Sequence, residues 1–200
     1  MLPTPVTMID PSLESFPVRK TVNGDVPVSI RLMEKADEAA FRDFHSVIPE
    51  REQLFIRSRI KDGSLFKDWM ADPEFVQHVP LAACVDGKLA ATGSLHLRPG
   101  GWKRHIGQTY FLTHPNYRGL GLIDALLECI VDISRHRGLT RLESEMNGER
   151  ENAIQSLQAV GFRELVRLPD YIQDMKAEYH DYVLMGMELI ADYEHLGTGD

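Results

Sequence analysis

Arg118-Gly119-Leu120-Gly121 is the stretch of this chain best suited to chemistry, because it sets two glycines and a cation where an amphipathic helical pattern begins. The first N–H groups of a helix lack partners inside it, and the helix dipole adds partial positive charge at the same point. Glycines at 119 and 121 allow positive φ and close backbone approach. The segment can therefore cradle a pyrophosphate, with Arg118 adding a charge-assisted contact. A glycine pair before a helix is also often a plain tight turn, so the loop needs its context. No Gly-Lys-Ser/Thr follows, which excludes a Walker loop. A third glycine and an early parallel strand-helix-strand unit are missing, which excludes a dinucleotide fingerprint.

A second group of reactive side chains lies in the strand pattern Arg141 to Asn147. Alternation sends Leu142, Ser144 and Met146 one way and Glu143, Glu145 and Asn147 the other, so one face is acidic. Those glutamates either serve chemistry or simply meet solvent and Arg141. His180-Asp181 offers an imidazole able to titrate near neutral pH just before the last expected strand. Adjacent strand residues point oppositely, so a direct dyad is disfavoured and His180 ranks lower, as a residue of the substrate wall. His96, His105 and His114 form no ligand constellation, and no metal is expected. Cys84 and Cys129 sit in apolar surroundings without CxxC spacing and are expected as buried, reduced thiols.

These groups need a scaffold, and the pattern supplies one. Residues 1–27 carry five prolines without helical or strand period and are expected as an extended arm. Val28–Leu32 then reads as a strand and Lys35–Val47 as a helix. Glu50–Ala71 suggests one broken helix or two short ones. Two apolar runs, Leu81–Val85 and Lys88–Leu97, flank Asp86-Gly87, a strong hairpin signal, and a third runs from His105 to Thr113. Leu120–His136 has helical spacing with Gly138 as its stop. A strand (Thr140–Asn147), a helix (Glu149–Val160, ended by Gly161) and two strands (Phe162–Leu168, Tyr182–Ile190) complete a domain of residues 28–190. A tail of residues 191–200 follows.

The 200 residues, 43% hydrophobic and 26% charged, suit one globular domain with a single core. No run approaches the roughly 20 apolar residues of a membrane span, and no basic-then-apolar leader opens the chain, so a cytoplasmic protein without membrane association is expected. A net charge of −8 disfavours nucleic acid as a partner while leaving a cationic substrate open. A homodimer through the terminal strands is compatible with the pattern, which does not require it.

The run His114-Pro115-Asn116-Tyr117-Arg118-Gly119-Leu120-Gly121-Leu122-Ile123-Asp124-Ala125-Leu126-Leu127 resembles the pyrophosphate loop and following helix of the GNAT superfamily of acetyl-CoA-dependent N-acyltransferases. Asn152-Ala153-Ile154 through Leu157 to Gly161-Phe162 is similar to that family's second helix motif, and the likeness extends from about Val28 to Ile190. The resemblance implies an α/β (α+β) fold. Its central sheet would be mixed, mostly antiparallel and twisted, with about six to seven strands flanked by about four helices. It also implies transfer of an acetyl or short acyl group from acyl-CoA to an amine acceptor by direct attack in a ternary complex.

By the same resemblance the backbones of Phe111, Leu112 and Thr113 would pair with the pantetheine arm. Arg118, Gly119, Leu120, Gly121, Leu122, Ile123 and Asp124 would wrap the pyrophosphate, and Asn152, or Arg150 in its place, would lie near the CoA arm. Glu145 stands near the position from which some relatives draw a general base. An alkyl amine with pKa about 10.4 must lose a proton before attack, directly or through water. Ile123 replaces the family's usual Gly or Ala, and Leu157 replaces the tyrosine that protonates the leaving thiolate in many relatives. Water, Tyr171, Tyr179 or Tyr182 would then supply that proton. The alternatives are a catalytically silent acyl-CoA-binding sensor and an interaction domain that never meets a nucleotide.

Overall fold

The computed structural model describes residues 10–49, 52 and 63–189. Eight strands form one sheet in the order β1-β2-β3-β4-β5-β6-β8-β7. They are β1 (Val18–Val22), β2 (Val26–Leu32), β3 (His78–Val85), β4 (Lys88–His96), β5 (Ile106–Thr113), β6 (Arg141–Asn147), β7 (Arg163–Gln173) and β8 (Tyr179–Glu188). Only the β5–β6 pairing is parallel. Four α-helices lie among the described residues: α1 (Glu38–Ser46), α2 (Ser64–Met70), α3 (Leu122–His136) and α4 (Glu151–Ala159). Much of the helical pattern expected over 50–62, and the ends 1–9 and 190–200, lie outside the described residues. No described helix is long and apolar enough to cross a membrane.

The sheet is mixed and mostly antiparallel, as expected, with one strand more than the six to seven anticipated. That strand is β1, which lies within the stretch expected as an arm. Val18 and Val22 pair with Ile30 and Val26, and Leu13 and Val22 are buried in the main core. The turn between β1 and β2 places Asn23 and Gly24 at φ 50° and 87°. Asn-Gly is the commonest short hairpin signal, and here the surrounding prolines outweighed it. The turn at Asp86-Gly87 works the same way, with both residues at positive φ and β3 paired to β4 down its length.

The two faces of the sheet are covered differently because neighbouring strand residues point oppositely. Leu81 and Ala83 pack with α3 and α4 through Leu126, Ile130, Ile133, Ile154 and Leu157. Ala82, between them, packs with Met33, Phe41, Phe66 and Trp69 of the α1–α2 side. Helix α3 buries a continuous stripe at helical spacing: Leu122, Ala125, Leu126, Cys129, Ile130 and Ile133. It ends at Gly138 (φ 70°), where the amide of Leu139 reaches back to the carbonyl of Ser134 and Leu139 itself is buried, a Schellman stop. Cys84 and Cys129 are unpaired thiols, each pushed up in pKa by burial.

Strand β8 starts at Tyr179, three residues earlier than expected, so His180 and Asp181 lie within it rather than before it. Strand β7 runs on to Gln173, past Leu168, by breaking register between Leu168 and Ile172. Asp170 sits at φ 50° inside that irregularity. A bulge of this kind carries the strand past Pro169, which cannot donate to a regular ladder.

Candidate active site

The site is built where β5 and β6 part. Their parallel pairing covers only Ile106–Gln108 against Arg141–Glu143. Beyond it β5 continues to Thr113 on β4, and β6 continues to Asn147 on β8. At the apex two side chains take over from the ladder. Thr109 Oγ1 donates to the Glu143 carbonyl at 3.3 Å, and Ser144 Oγ donates to the Thr109 carbonyl at 3.1 Å. Thr109 and Ser144 are both buried, so these bonds are shielded from water.

Past the apex, Phe111, Leu112 and Thr113 pair with β4 on one side only, and all three are half-buried. Among the described residues no strand lies beside their other backbone edge. The Phe111 ring is anchored over Gly93, where an added Cβ would stand 3.3 Å from the ring. Strand β5 is thus fixed by its side chains while one backbone edge stays open.

That edge leads directly into the glycine loop. His114 caps a 3-10 turn, Pro115–Tyr117, by accepting from the Asn116 amide at 3.2 Å. Gly119 and Gly121 take φ 78° and 74°, and Gly121 is the N-cap of α3 with no side chain capping the helix. The first intrahelical bond from the loop is Ala125 N–H to the Gly121 carbonyl, so the amides of 122–124 have no partner within the helix. Asp124, in that first turn, is exposed. The Ile123 side chain packs on the main core, which is how a branched residue is accommodated where the family usually has Gly or Ala.

Arg118 Nη2 donates to both carboxylate oxygens of Glu52, at 2.9 and 3.0 Å. Arg150, the N-cap residue of α4, approaches the same carboxylate at 3.6 Å. Arg150 thus meets the Arg118–Glu52 pair of the glycine loop, and Asn152 is exposed. Glu52 carried no signal in the sequence, being one acid within the helical pattern expected over Glu50–Ala71.

The acidic face of β6 meets the last strand. Glu145 pairs across with Leu184, and Asn147 with Tyr182. Burial raises the Tyr182 phenol to about 12, and the carboxylates of Glu145 and Glu143 and the hydroxyls of Tyr110 and Tyr171 push the same way. These five side chains share one wall. Glu143 also lies 3.7 Å from Lys103. Glu145 and Tyr182, singled out separately in the sequence, are thus brought together.

His180 has carboxylate partners of its own. Its Nδ1 is 3.0 Å from Glu149, and its Nε2 is 3.5 Å from Asp174. The Glu149 hydrogen bond is the largest cause of a raised pKa. Asp181 makes no dyad with it; its side chain accepts from the Asp170 amide and its carbonyl from Gly148. Asp174, Glu178 and His180 bring metal-capable atoms within 4.8 Å of one another. One oxygen of Asp174 is already committed to the amides of Lys176 and Glu178. Leu157, where many relatives have tyrosine, is a buried core residue.

The mixed sheet that opens between β5 and β6 beside a glycine-led helix lies within a stretch of recognisable family. Residues 31–162 match the acetyltransferase (GNAT) family, and the chain belongs to that family. No curated protein sequence matches it. Among solved structures it is similar to the GNAT domain of S. lividans PAT (19% identity, TM-score 0.67, covering 86% of this chain and 96% of that one). It is also similar to yncA from Salmonella typhimurium, solved with its cofactor acetyl-CoA (18%, TM-score 0.66, 86% and 98%). Mycobacterium smegmatis RimJ in complex with CoA-disulfide is a third (17%, TM-score 0.68, 87% and 88%).

Proposed function

We propose that this chain is an N-acetyltransferase that moves an acetyl or short acyl group from acyl-CoA to a primary amine by direct attack in a ternary complex. The observation that supports this reading is that the Phe111–Thr113 edge, unpaired among the described strands, runs directly into the glycine loop and the side-chain-uncapped start of α3. The loop suits the group it would hold. Positive φ at both glycines, N–H groups without intrahelical partners and two guanidiniums are what a phosphate needs.

Acetyl-CoA supplies the thioester, whose acyl carbon is the electrophile and whose sulfur leaves. The acidic, tyrosine-lined wall receives the amine as a cation. Glu145 takes its proton, directly or through a water, freeing the lone pair for attack. The backbone beside Leu112 donates to the oxygen that gains charge as the C–N bond forms and the C–S bond breaks. Tyr182 acts as a hydrogen-bond donor rather than a source of net protons. A phenol held near 12 does not readily yield its proton to a thiolate whose own pKa is roughly 8.5. Attack leaves the nitrogen positively charged, and its second proton passes through water to the departing thiolate, giving the amide and the free thiol. His180, bracketed by two carboxylates, serves as a strut between β8 and the β6–α4 turn.

Thiol release from acetyl-CoA, followed across a panel of primary amines, tests this directly. Amine-dependent release that drops about 10²–10³-fold in Glu145→Gln is the expected outcome. Leu157 in place of the family's tyrosine keeps one second reading in view, a silent acyl-CoA-binding module. Tight acetyl-CoA binding without release to any amine would establish it.

A further inference from the structure

Arg118 comes from the glycine loop, Arg150 from the start of α4 and Glu52 from the segment after α1, yet all three meet at one carboxylate. Arg118 bonds both of its oxygens, and Arg150 stands 3.6 Å away. The Glu52 side chain is only 12% exposed, against 41% and 35% for the two arginines. The carboxylate is thus drawn in beneath two more exposed guanidiniums. Two positive charges on one negative leave an excess charge of +1, which one further anion would satisfy. Burial lowers the Arg150 pKa, Glu52 raises it, and the neighbouring Arg118 lowers it in turn. The first turn of α3 adds N–H groups without intrahelical partners on the same loop.

We propose that Glu52 is an internal anion in the phosphate seat: it holds Arg118 and Arg150 together in the free protein and yields them to a phosphate of the incoming acyl donor. This rests on the acyl-CoA reading and deepens it by naming a residue that sets donor affinity without touching the reacting atoms. A pyrophosphate diester, with one negative charge on each phosphate, satisfies both guanidiniums more fully than a single carboxylate, and the exchange costs the protein its Arg118–Glu52 hydrogen bonds. Glu52 therefore weakens donor binding in proportion to the strength of that pair. It also keeps two like charges from repelling one another when no donor is present.

The test is calorimetric binding of acetyl-CoA, inorganic pyrophosphate and acetyl-pantetheine to wild type, Glu52→Gln and Glu52→Asp, with melting temperatures of the ligand-free proteins. In Glu52→Gln the affinity for acetyl-CoA and for pyrophosphate should rise roughly tenfold, the scale of one charge-assisted pair given up. Affinity for acetyl-pantetheine, which lacks phosphates, should not change. The ligand-free variant should melt lower and recover more than wild type when pyrophosphate is added. Glu52→Asp, which keeps the charge but withdraws it by a methylene, should lie between, and it carries the test if the glutamine variant does not fold. Wild type that binds acetyl-CoA while both variants bind it equally or more weakly would make Glu52 a strut and overturn the inference. Absence of acetyl-CoA binding in all three proteins would overturn the acyl-CoA reading as well.

Discussion

Removing the two side-chain hydrogen bonds at the strand divergence should damage stability and donor binding together, because both depend on where β5 leaves β6. The perturbation is Ser144→Ala with Thr109→Val, which deletes both hydroxyls with little change of shape. Each lost bond is worth about 1 kcal/mol, and the carbonyls of Thr109 and Glu143, deprived of these donors in a buried setting, bring the pair to about 2–3 kcal/mol. For a chain of this size each kcal/mol moves the midpoint by about 2–4 °C, so the double variant should melt about 4–12 °C lower. The bonds adjoin, so the single variants should not add, and a double-mutant cycle measures their coupling. Without the clamp the edge of Phe111–Thr113 shifts relative to β6. The KM for acetyl-CoA should rise about tenfold, with that for the amine nearly unchanged. A double variant that melts within about 1 °C of wild type and keeps its KM for acetyl-CoA would refute the claim that these two hydroxyls set the opening.

Three further outcomes follow from neighbouring features. Gly107→Ala would place a Cβ 2.6, 2.8 and 3.0 Å from the buried side chains of Leu95, Leu139 and Leu142, so urea unfolding should show a loss of about 1–3 kcal/mol. Tyr182→Phe keeps the ring and removes the donor, so kcat should fall about 10²-fold while acetyl-CoA affinity measured by calorimetry stays the same. His180 has a raised pKa, so its ion pairs contribute fully below its unfolded value of about 6.5 and fade as pH rises through the folded value. His180→Ala should therefore lower the melting temperature more at pH 6 than at pH 9, and an equal loss at both would contradict the assignment.

The elements most legible in the sequence were those with local causes. Asp86-Gly87 fixed a hairpin, Gly138 a helix end, and the stripe of Leu122, Leu126, Ile130 and Ile133 the buried face of α3. Strand β1 was hidden although Asn23-Gly24 announced its turn, because the prolines around it suggested an unstructured arm. The alternation of Glu143, Glu145 and Asn147 was readable, and so was the glycine turn that leads into α3. The approach of Tyr182 to Glu145, Tyr110 and Tyr171 was not, since it depends on long-range strand order that no local pattern encodes. The same holds for Glu52, which is 66 residues from Arg118. His180 was misjudged in setting: its carboxylate partners are Glu149 and Asp174, and neither is its sequence neighbour.

Calorimetric titration of acetyl-CoA into wild type and Gly121→Glu tests the central claim most directly. Gly121 caps α3 at φ 74°, with Asp124 only 3.8 Å from the position of an added Cβ. A glutamate there is strained and sets a second negative charge where the pyrophosphate should lie. Saturable binding to wild type, lost in a folded Gly121→Glu protein, is the predicted result. Wild type that does not bind, in a sample freed of copurified CoA, would contradict the account.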